Sequence, residues 1–461
     1  MNPLYGSDYT NRVVMSLMYQ PLFAVDSKNN TTPILCSQYQ VTPDNRTWTI
    51  YLEPDATFSD GTRVTVQDVV ASYEQARQNV YYKGRFTHIA RVELSSDGGV
   101  DFFLDTPYQN LALLLDIPIV KASEVTADTP LGTGPYSLED GIGGKHLQRV
   151  VGWWCSSDDL VAKDSSIALV EAESPSQIRD EFEFSGLSVV CTNPQTDSYA
   201  DYRCDFELWE VDSGFMMYIG CNVTYSKFFD DGTLRTFLTY GIDRQTLVDD
   251  NYGGLALPTT LPISPMSPYY SKSLATNYDY DEMRFIDAAS KFRVPTNDKG
   301  VPRTLQLLVN SDDSARLRCA RNIAATLTEL GLACETVESP TSVYEARLQA
   351  ANYDIYLGIT KLPTTADLSE FYRPWGEMSW GGLANETIYN MVNQSLADRG
   401  NYYNLHKLVA DDGRIIPVMA GYYAIYAKRG VLSDLNPARD NVFYYTLGKT
   451  MESSKVATQF S

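Results

Sequence analysis

Residues 304–359 read TLQLLVNSDDSARLRCARNIAATLTELGLACETVESPTSVYEARLQAANYDIYLGI, and short apolar runs typical of buried strands alternate in them with stretches of helical period. Asp312 and Asp313 are suited to capping a helix, and Gly331 is suited to ending it. The pattern predicts strands at 304–310, 332–337 and 353–359, with one helix between the caps and Gly331 and a second at 343–350. This alternating order is typical of an open, doubly wound α/β lobe.

A second α/β unit is predicted earlier in the chain. Residues 167–172 and 187–191 read as strands, and the stretch after Ser174 and Pro175 reads as a helix between them. A strand, helix and strand in this order are compatible with a parallel crossover. The sequence therefore predicts two α/β lobes with a cleft between them.

The N-proximal part carries a different pattern. Residues 46–53 alternate as a half-buried strand, and Thr65 with Asp68 forms a capping box that opens a helix. Residues 89–94 and 100–104 then flank a turn and read as a hairpin. This part of the chain is predicted to be an additional α+β unit.

Size and charge limit the class of protein. A chain of 461 residues exceeds one ordinary core and predicts two or three domains. Its net charge of −21 disfavours nucleic acid and anionic lipid surfaces as partners. No apolar run approaches the length of a membrane span, about 18 residues. Because the chain opens without a basic or apolar leader, we expect either a cytosolic protein or one whose export signal has been removed.

A search for catalytic patterns gives no positive result. The motifs G-x-S-x-G and H-E-x-x-H are absent, and the Gly-Lys-Thr at 448–450 has Phe443 where a phosphate loop needs its first glycine. His88, His146 and His406 lie far apart without metal-ligand spacing. The seven cysteines lack a C-x-x-C pair, which favours buried thiols or a disulfide over a zinc or redox motif. The sequence therefore predicts neither an enzyme nor a protein with a metal or cofactor.

Several motifs follow one another in an informative order. They are VVMSLMYQPLF at 13–23, WTIYLEPDATFSDGT at 48–62 followed by VTVQDVV at 64–70, LGTGPY at 131–136 followed by Trp153-Trp154, FMMYIGCN at 215–222 and LRTFLTYGID at 234–243. Taken together, they resemble the bacterial extracellular solute-binding protein family 5, whose members include oligopeptide-, dipeptide- and nickel-binding components of ABC importers. The resemblance covers nearly the whole chain.

The resemblance implies an α/β, two-lobed periplasmic-binding-protein type II fold with an extra N-proximal α+β subdomain. Lobe I would comprise residues 1–31, 130–240 and 405–461, with the subdomain at 32–129 packed on it. Lobe II would comprise residues 241–404. Such a protein works by closing its lobes on a solute, and the closed form is read by a membrane partner.

The resemblance also implies ligand-binding residues in lobe II. Asp367 is the candidate partner for a ligand α-amine, although the stretch at 360–368 departs from the family pattern and Asp367 is equally suited to capping the next helix. Trp375, Trp380 and Gly381 lie in a loop that faces the cleft in relatives. An aromatic side chain there is suited either to stacking on a ligand or to core packing.

Tyr19 and Gln20 are the corresponding candidates in lobe I. They occupy the turn after the first helix, where Gln20-Pro21 replaces the acidic residue and glycine usual in the family. The resemblance implies that this turn touches the cleft. Tyr19 is suited either to lining that cleft or to packing.

The predicted function is that of an extracytoplasmic, monomeric receptor that delivers short peptides to ABC permease subunits. We expect its only attachment to the membrane to be a lipid anchor, which is lost from this chain together with the leader. One alternative is the same role for another polar solute, such as a glycoside or a metal chelate. A hydrolase using the same cleft and a sensory or chaperone-like binding protein are the alternatives from other classes. We expect no nucleic acid partner.

Overall fold

The computed structural model describes residues 1–6, 8–155, 165–196, 201–432, 435–443 and the strand at 455–458. The chain divides into two compact units. Unit 1 comprises Met1–Val211 with Tyr423–Ser461, and unit 2 comprises Asp212–Tyr422. The Gly-Lys-Thr at 448–450 lies outside the described residues.

Strands and helices alternate along much of the chain. The strands are β1 (Phe23–Val25), β2 (Thr31–Pro33), β3 (Cys36–Val41), β4 (Thr47–Leu52), β5 (Ile89–Leu94), β6 (Val100–Leu104), β7 (Tyr136–Gly141), β8 (Gly144–Arg149), β9 (Ser166–Glu171), β10 (Leu187–Thr192), β11 (Phe206–Cys221), β12 (Leu257–Pro258), β13 (Leu305–Asn310), β14 (Cys334–Ser339), β15 (Ile355–Lys361), β16 (Ile415–Lys428) and β17 (Lys455–Thr458). The α-helices are α1 (Tyr9–Met15), α2 (Val66–Arg77), α3 (Pro175–Phe184), α4 (Thr233–Phe237), α5 (Arg244–Tyr252), α6 (Lys272–Ala275), α7 (Glu282–Lys291), α8 (Ser314–Glu329), α9 (Thr341–Gln349), α10 (Ser369–Tyr372), α11 (Glu386–Ala397) and α12 (Tyr402–Asp412).

Unit 2 is built on the sheet β14-β13-β15-β11-β16, with β12 paired to β16. Strand β13 runs parallel to both β14 and β15, and β15 pairs antiparallel with β11. The predicted β-α-β-α-β order is confirmed as β13, α8, β14, α9 and β15, with strand bounds shifted by one or two residues. The mixed α/β class predicted from the sequence is therefore present.

The apolar face predicted for α8 packs into the core of unit 2. Ala320, Ile323 and Leu327 are buried there among strand residues such as Leu307 and Leu357. Burying an aliphatic side chain of the size of Leu or Ile stabilises the fold by about 1.5–3 kcal/mol, whereas helix propensities differ by less than about 1 kcal/mol per residue. Tertiary packing, more than intrinsic propensity, therefore holds this helix.

Unit 1 contains the predicted α+β arrangement. Its four-stranded sheet has the order β3-β4-β6-β5 with antiparallel pairs throughout, and the predicted hairpin is formed by β5 and β6. The Asp68 carboxylate accepts a hydrogen bond of 2.7 Å from the backbone N–H of Thr65, as the capping box predicts. Phe58 is buried in the loop between β4 and α2.

Unit 1 also contains a strand, β17, that the sequence patterns did not predict. Strands β9 and β10, with α3 between them, form the predicted crossover, but they are not neighbours. Strand β17 lies between them and runs parallel to both. A segment near residue 455 therefore lies between two strands that end more than 250 residues earlier in the chain.

The predicted lobe crossings near residues 240 and 405 stay predictions, and the compact units are bounded at other positions. The chain passes from unit 1 to unit 2 between residues 211 and 212, inside strand β11. It returns to unit 1 between residues 422 and 423, inside strand β16. The start of β16 and helix α4 pack into the core of unit 2, so these residues group with it. The sheet β3-β4-β6-β5 belongs to unit 1. The separate subdomain predicted at 32–129 stays a prediction.

None of the helices in the described part of the chain combines the length and apolar character that a membrane crossing requires.

Candidate functional site

In unit 1, the turn that carries Tyr19 and Gln20 is packed against the LGTGPY motif. The amide N–H of Gly134 donates to the carbonyl oxygen of Met18 at 2.8 Å. A Cβ at Gly132 would lie 2.1 Å from that same oxygen, closer than any side chain can approach. Glycine is therefore required here by the approach of two backbone segments.

Tyr19 and Gln20 are both buried in this arrangement. The Tyr19 hydroxyl donates between the carbonyl oxygens of Pro130 at 2.9 Å and Met1 at 3.0 Å, and burial raises the pKa of this phenol. The side-chain oxygen of Gln20 accepts a hydrogen bond of 3.0 Å from the indole of Trp154. The two indoles of the Trp153-Trp154 pair also donate to the carbonyl oxygen of Thr133. Three motifs distant in sequence thus meet at one turn.

In unit 2, Asp367 lies just before helix α10. Its side chain is 8% exposed, and Oδ1 accepts a hydrogen bond of 2.8 Å from the backbone N–H of Ser369, the first residue of α10. Ala366 before it has a left-handed backbone with φ of 50°. The hydroxyl of Tyr402 donates to the carbonyl oxygen of Thr365. Asp367 thus bonds to the first residue of the helix from the position before its N-cap residue, Leu368.

Trp375 is displayed on the surface of unit 2. Its side chain is 96% exposed, although its backbone has a left-handed φ of 62°. The loop around it is held by the Arg373–Glu370 ion pair at 2.7 Å and by the N–H of Glu377, which donates to the Glu370 carboxylate at 2.9 Å. A strained, non-glycine residue in an ordered loop is typical of functional sites.

Trp380 and Gly381 form a short 3-10 turn that is anchored to the end of β11. The carbonyl oxygen of Gly381 accepts hydrogen bonds from the N–H groups of Val223 at 2.8 Å and Thr224 at 3.2 Å. A Cβ at Gly381 would lie 2.6 Å from the Tyr353 hydroxyl. Trp380 is half-buried beside it. Gly381 therefore serves the packing of this turn, whatever else the turn contacts.

Two tyrosine–glycine pairs of strands β11 and β15 pack next to the segment that carries these candidates. Tyr218 lies opposite Gly358 in the β11–β15 ladder, and Gly220 lies opposite Tyr356, so each ring covers a residue without a side chain. Tyr218 packs edge-on against Phe371 of α10, with ring centroids 5.1 Å apart. The aromatic layer thereby connects the central strands to the segment that carries Asp367 and Trp375.

Unit 2 also has an open polar cavity of about 590 Å³. Asn222, Arg303, Glu335 and Asp354 are among the residues that line it, and none of the six candidate residues does so. The Asp354 carboxylate accepts hydrogen bonds from Ser226 at 2.6 Å and from the N–H of Gln306 at 2.9 Å. This carboxylate thus joins the start of β13 to the end of β11.

The histidines occupy separate places in the fold. His88 stacks on Tyr108, His146 lies on β8, and His406 is buried in α12. Among the described residues, no group of three or more His, Cys, Asp or Glu is placed to hold a metal ion. Burial lowers the pKa of His406 to about 4, so this ring is neutral at neutral pH.

The structure thus places the six candidates in two groups. Tyr19 and Gln20 belong to one turn of unit 1, whereas Asp367, Trp375, Trp380 and Gly381 belong to one segment of unit 2. Their roles in ligand binding stay predictions. Sequence reasoning missed Tyr402, because its hydrogen-bond partner Thr365 is 37 residues away and no local pattern joins them.

Comparisons with known proteins agree with the family resemblance of the sequence motifs. The model of the bacterial extracellular solute-binding proteins, family 5, matches residues 30–382. The glutathione-binding protein GsiB of Escherichia coli O6:K15:H31 is 25% identical over 301 residues, which cover 60% of this chain and 57% of that protein. The match thus spans little more than half the length of this curated relative.

Solved structures share the fold at lower identity. The oligopeptide-binding protein AppA from Bacillus subtilis, in complex with a nonapeptide, is 17% identical with a TM-score of 0.67, and 98% of this chain and 96% of that chain are covered. NikA from Brucella suis, in complex with Fe(III)-EDTA, is also 17% identical with a TM-score of 0.72, and 97% of each chain is covered. At this identity the likeness shows the fold alone.

Proposed function

This chain belongs to the bacterial extracellular solute-binding proteins of family 5, and on that premise we propose that it captures short peptides and passes them to the permease of an ABC importer. It acts outside the cytoplasm as a monomer and binds its solute without altering it. The observation that supports this most is the family match over residues 30–382. The relative named for glutathione favours a peptide-like solute.

The unit 2 segment provides groups suited to a peptide. Asp367 offers a shielded carboxylate, and a carboxylate held away from bulk water forms a strong charge-assisted bond with an ammonium group. Trp375 offers an exposed aromatic face for a peptide side chain or backbone. Tyr19 and Gln20, both buried in unit 1, stay predictions as ligand-binding residues.

A second candidate solute is a non-peptide polar molecule, such as a glycoside or a metal chelate. The bond from Ser369 to Asp367 favours this alternative, because a carboxylate that already accepts a hydrogen bond has less capacity left for a ligand amine. A metal would then enter with its own chelator.

A thermal-shift panel tests the proposal. The purified protein is heated with glutathione, di- to pentapeptides, glycosides and nickel chelates, because a bound solute stabilises the native state by mass action. We expect peptides to raise the melting temperature of the wild type and to act less on Asp367→Asn. A matched control is Asp312→Asn, an exposed carboxylate that caps the start of α9. A response to glycosides or chelates alone would contradict peptide capture while leaving the receptor role intact.

A further inference from the structure

The segment from Leu362 to Tyr372 is held in shape by contacts from outside it. Leu362 donates its N–H to the carbonyl oxygen of Gly214 at 2.8 Å, and Phe371 packs on Tyr218. Between these two anchors, residues 363–366 form a tight turn that is closed by the N–H of Ala366 donating to the carbonyl oxygen of Pro363 at 2.8 Å, and Ala366 at its end has a left-handed backbone. A side-chain-bearing residue adopts this conformation only when its surroundings impose it.

Tyr402 contacts this turn from outside the segment. It is buried at the start of α12, and its hydroxyl donates to the carbonyl oxygen of Thr365, the residue before Ala366. The ring of Tyr402 is fixed in turn by parallel stacking on Tyr269, with centroids 4.5 Å apart and planes inclined by 5°. A stacked ring has little freedom, so the position of its hydroxyl is well defined.

We propose that Tyr402 is a positioning residue for solute binding, which holds the turn at 363–366, and with it Asp367, in its binding conformation before the solute arrives. This inference rests on the proposed function, because it concerns the turn that directly precedes Asp367. A turn that is already ordered costs less entropy on binding than one that must be fixed by the solute. Tyr402 itself need not touch the solute.

The test uses Tyr402→Phe, which keeps the ring and its stack but removes the donated hydrogen bond. The matched control is Tyr344→Phe, because Tyr344 is also buried in unit 2 and donates to a backbone carbonyl, that of Leu357 at 3.0 Å. Both variants lose one buried hydrogen bond of the same chemistry. Any general loss of stability is therefore common to the two.

Two quantities are measured on the full chain, at a temperature where all three proteins are folded. The first is the dissociation constant for glutathione and for trialanine. The second is the rate of amide hydrogen exchange in peptides covering residues 363–372, without solute. We expect Tyr402→Phe to bind about three- to tenfold more weakly, the equivalent of one hydrogen bond. We also expect faster exchange at the Ser369 amide in Tyr402→Phe, whereas Tyr344→Phe leaves both quantities near those of the wild type.

Each failure has its own signature. If Tyr402→Phe accelerates exchange but binds both probes as the wild type does, Tyr402 is only structural and the positioning role is overturned. Unchanged exchange would overturn the claim that Tyr402 holds the turn. If the wild type binds neither glutathione nor any di- to pentapeptide, peptide capture itself fails, and the positioning role falls with it.

Discussion

Trp375 combines a strained backbone with a side chain that packs on almost nothing. It is 96% exposed at a φ of 62°. We predict that Trp375→Ala weakens binding of glutathione or trialanine about three- to tenfold, the range of a lost aromatic contact, while the melting temperature stays nearly unchanged. Calorimetric titration and thermal unfolding measure the two effects. The control is Tyr225→Ala, another exposed aromatic residue. Equal binding by Trp375→Ala and the wild type would remove Trp375 from the site.

His406 makes the stability of the fold dependent on pH. Its ring is fully buried, neither ring nitrogen has a hydrogen-bond partner among the described residues, and burial lowers its pKa to about 4 from the usual 6.5. As the pH falls below 6.5, the unfolded chain takes up a proton that the folded chain excludes. The stability contributed by the neutral ring is therefore present above pH 6.5 and is lost towards pH 4, by about 3 kcal/mol in total.

Urea denaturation at pH 7 and pH 4.5 measures this effect. We predict that His406→Leu reduces the loss of unfolding free energy between the two pH values. His146→Gln, whose ring is half-buried on strand β8, serves as the control and keeps the wild-type loss. An identical pH dependence in His406→Leu and the wild type would show that another group carries it.

Residues of the candidate site were predictable from the sequence where a motif marks them, but the contacts that they make were not. Gln20 and the Trp153-Trp154 pair were both singled out from sequence, but the hydrogen bond from Trp154 to Gln20 joins residues 134 positions apart. Tyr402 and Asn222 carry equally specific bonds, and Asn222 donates to the carbonyl oxygens of Ala351 and Tyr353. Such pairings depend on the folded chain, so no local pattern joins the two partners of each bond.

At the scale of elements, the LGTGPY motif is the clearest case of sequence dictating geometry. We predict that Gly132→Ala lowers the free energy of unfolding by about 1–3 kcal/mol or more, because the new Cβ would overlap the carbonyl oxygen of Met18. Gly143→Ala is the control, since nothing lies within 4 Å of a Cβ there. Urea denaturation compares the two. If Gly132→Ala proves as stable as Gly143→Ala, the close approach that holds the Tyr19 turn is not tight.

Elements with a strong local period were predictable, and elements defined by distant pairing were not. The β-α-β-α-β run of unit 2 follows from alternating apolar patterns within 56 consecutive residues. Strand β17 is only four residues long, and it is defined by its parallel pairing with β9 on one side and β10 on the other. A segment this short gives no period that could have predicted it.

At the scale of the whole molecule, the order of motifs predicted the family, while the extent of each compact unit depended on packing. The long strands β11 and β16 carry the chain between units, so the unit boundaries fall within strands and not in linkers. Composition marks a boundary only where a linker is exposed and rich in polar residues. No such linker lies near residues 211 or 422, so composition does not mark the boundaries of the compact units.

The central claim is that this chain binds a short peptide reversibly and leaves it intact. The most direct measurement is calorimetric titration of the protein with glutathione and trialanine, followed by mass spectrometry of the recovered solute. The account predicts binding of one molecule per chain and recovery of that solute unchanged. Hydrolysed solute, or the absence of binding by these and all longer peptides up to five residues, would contradict it.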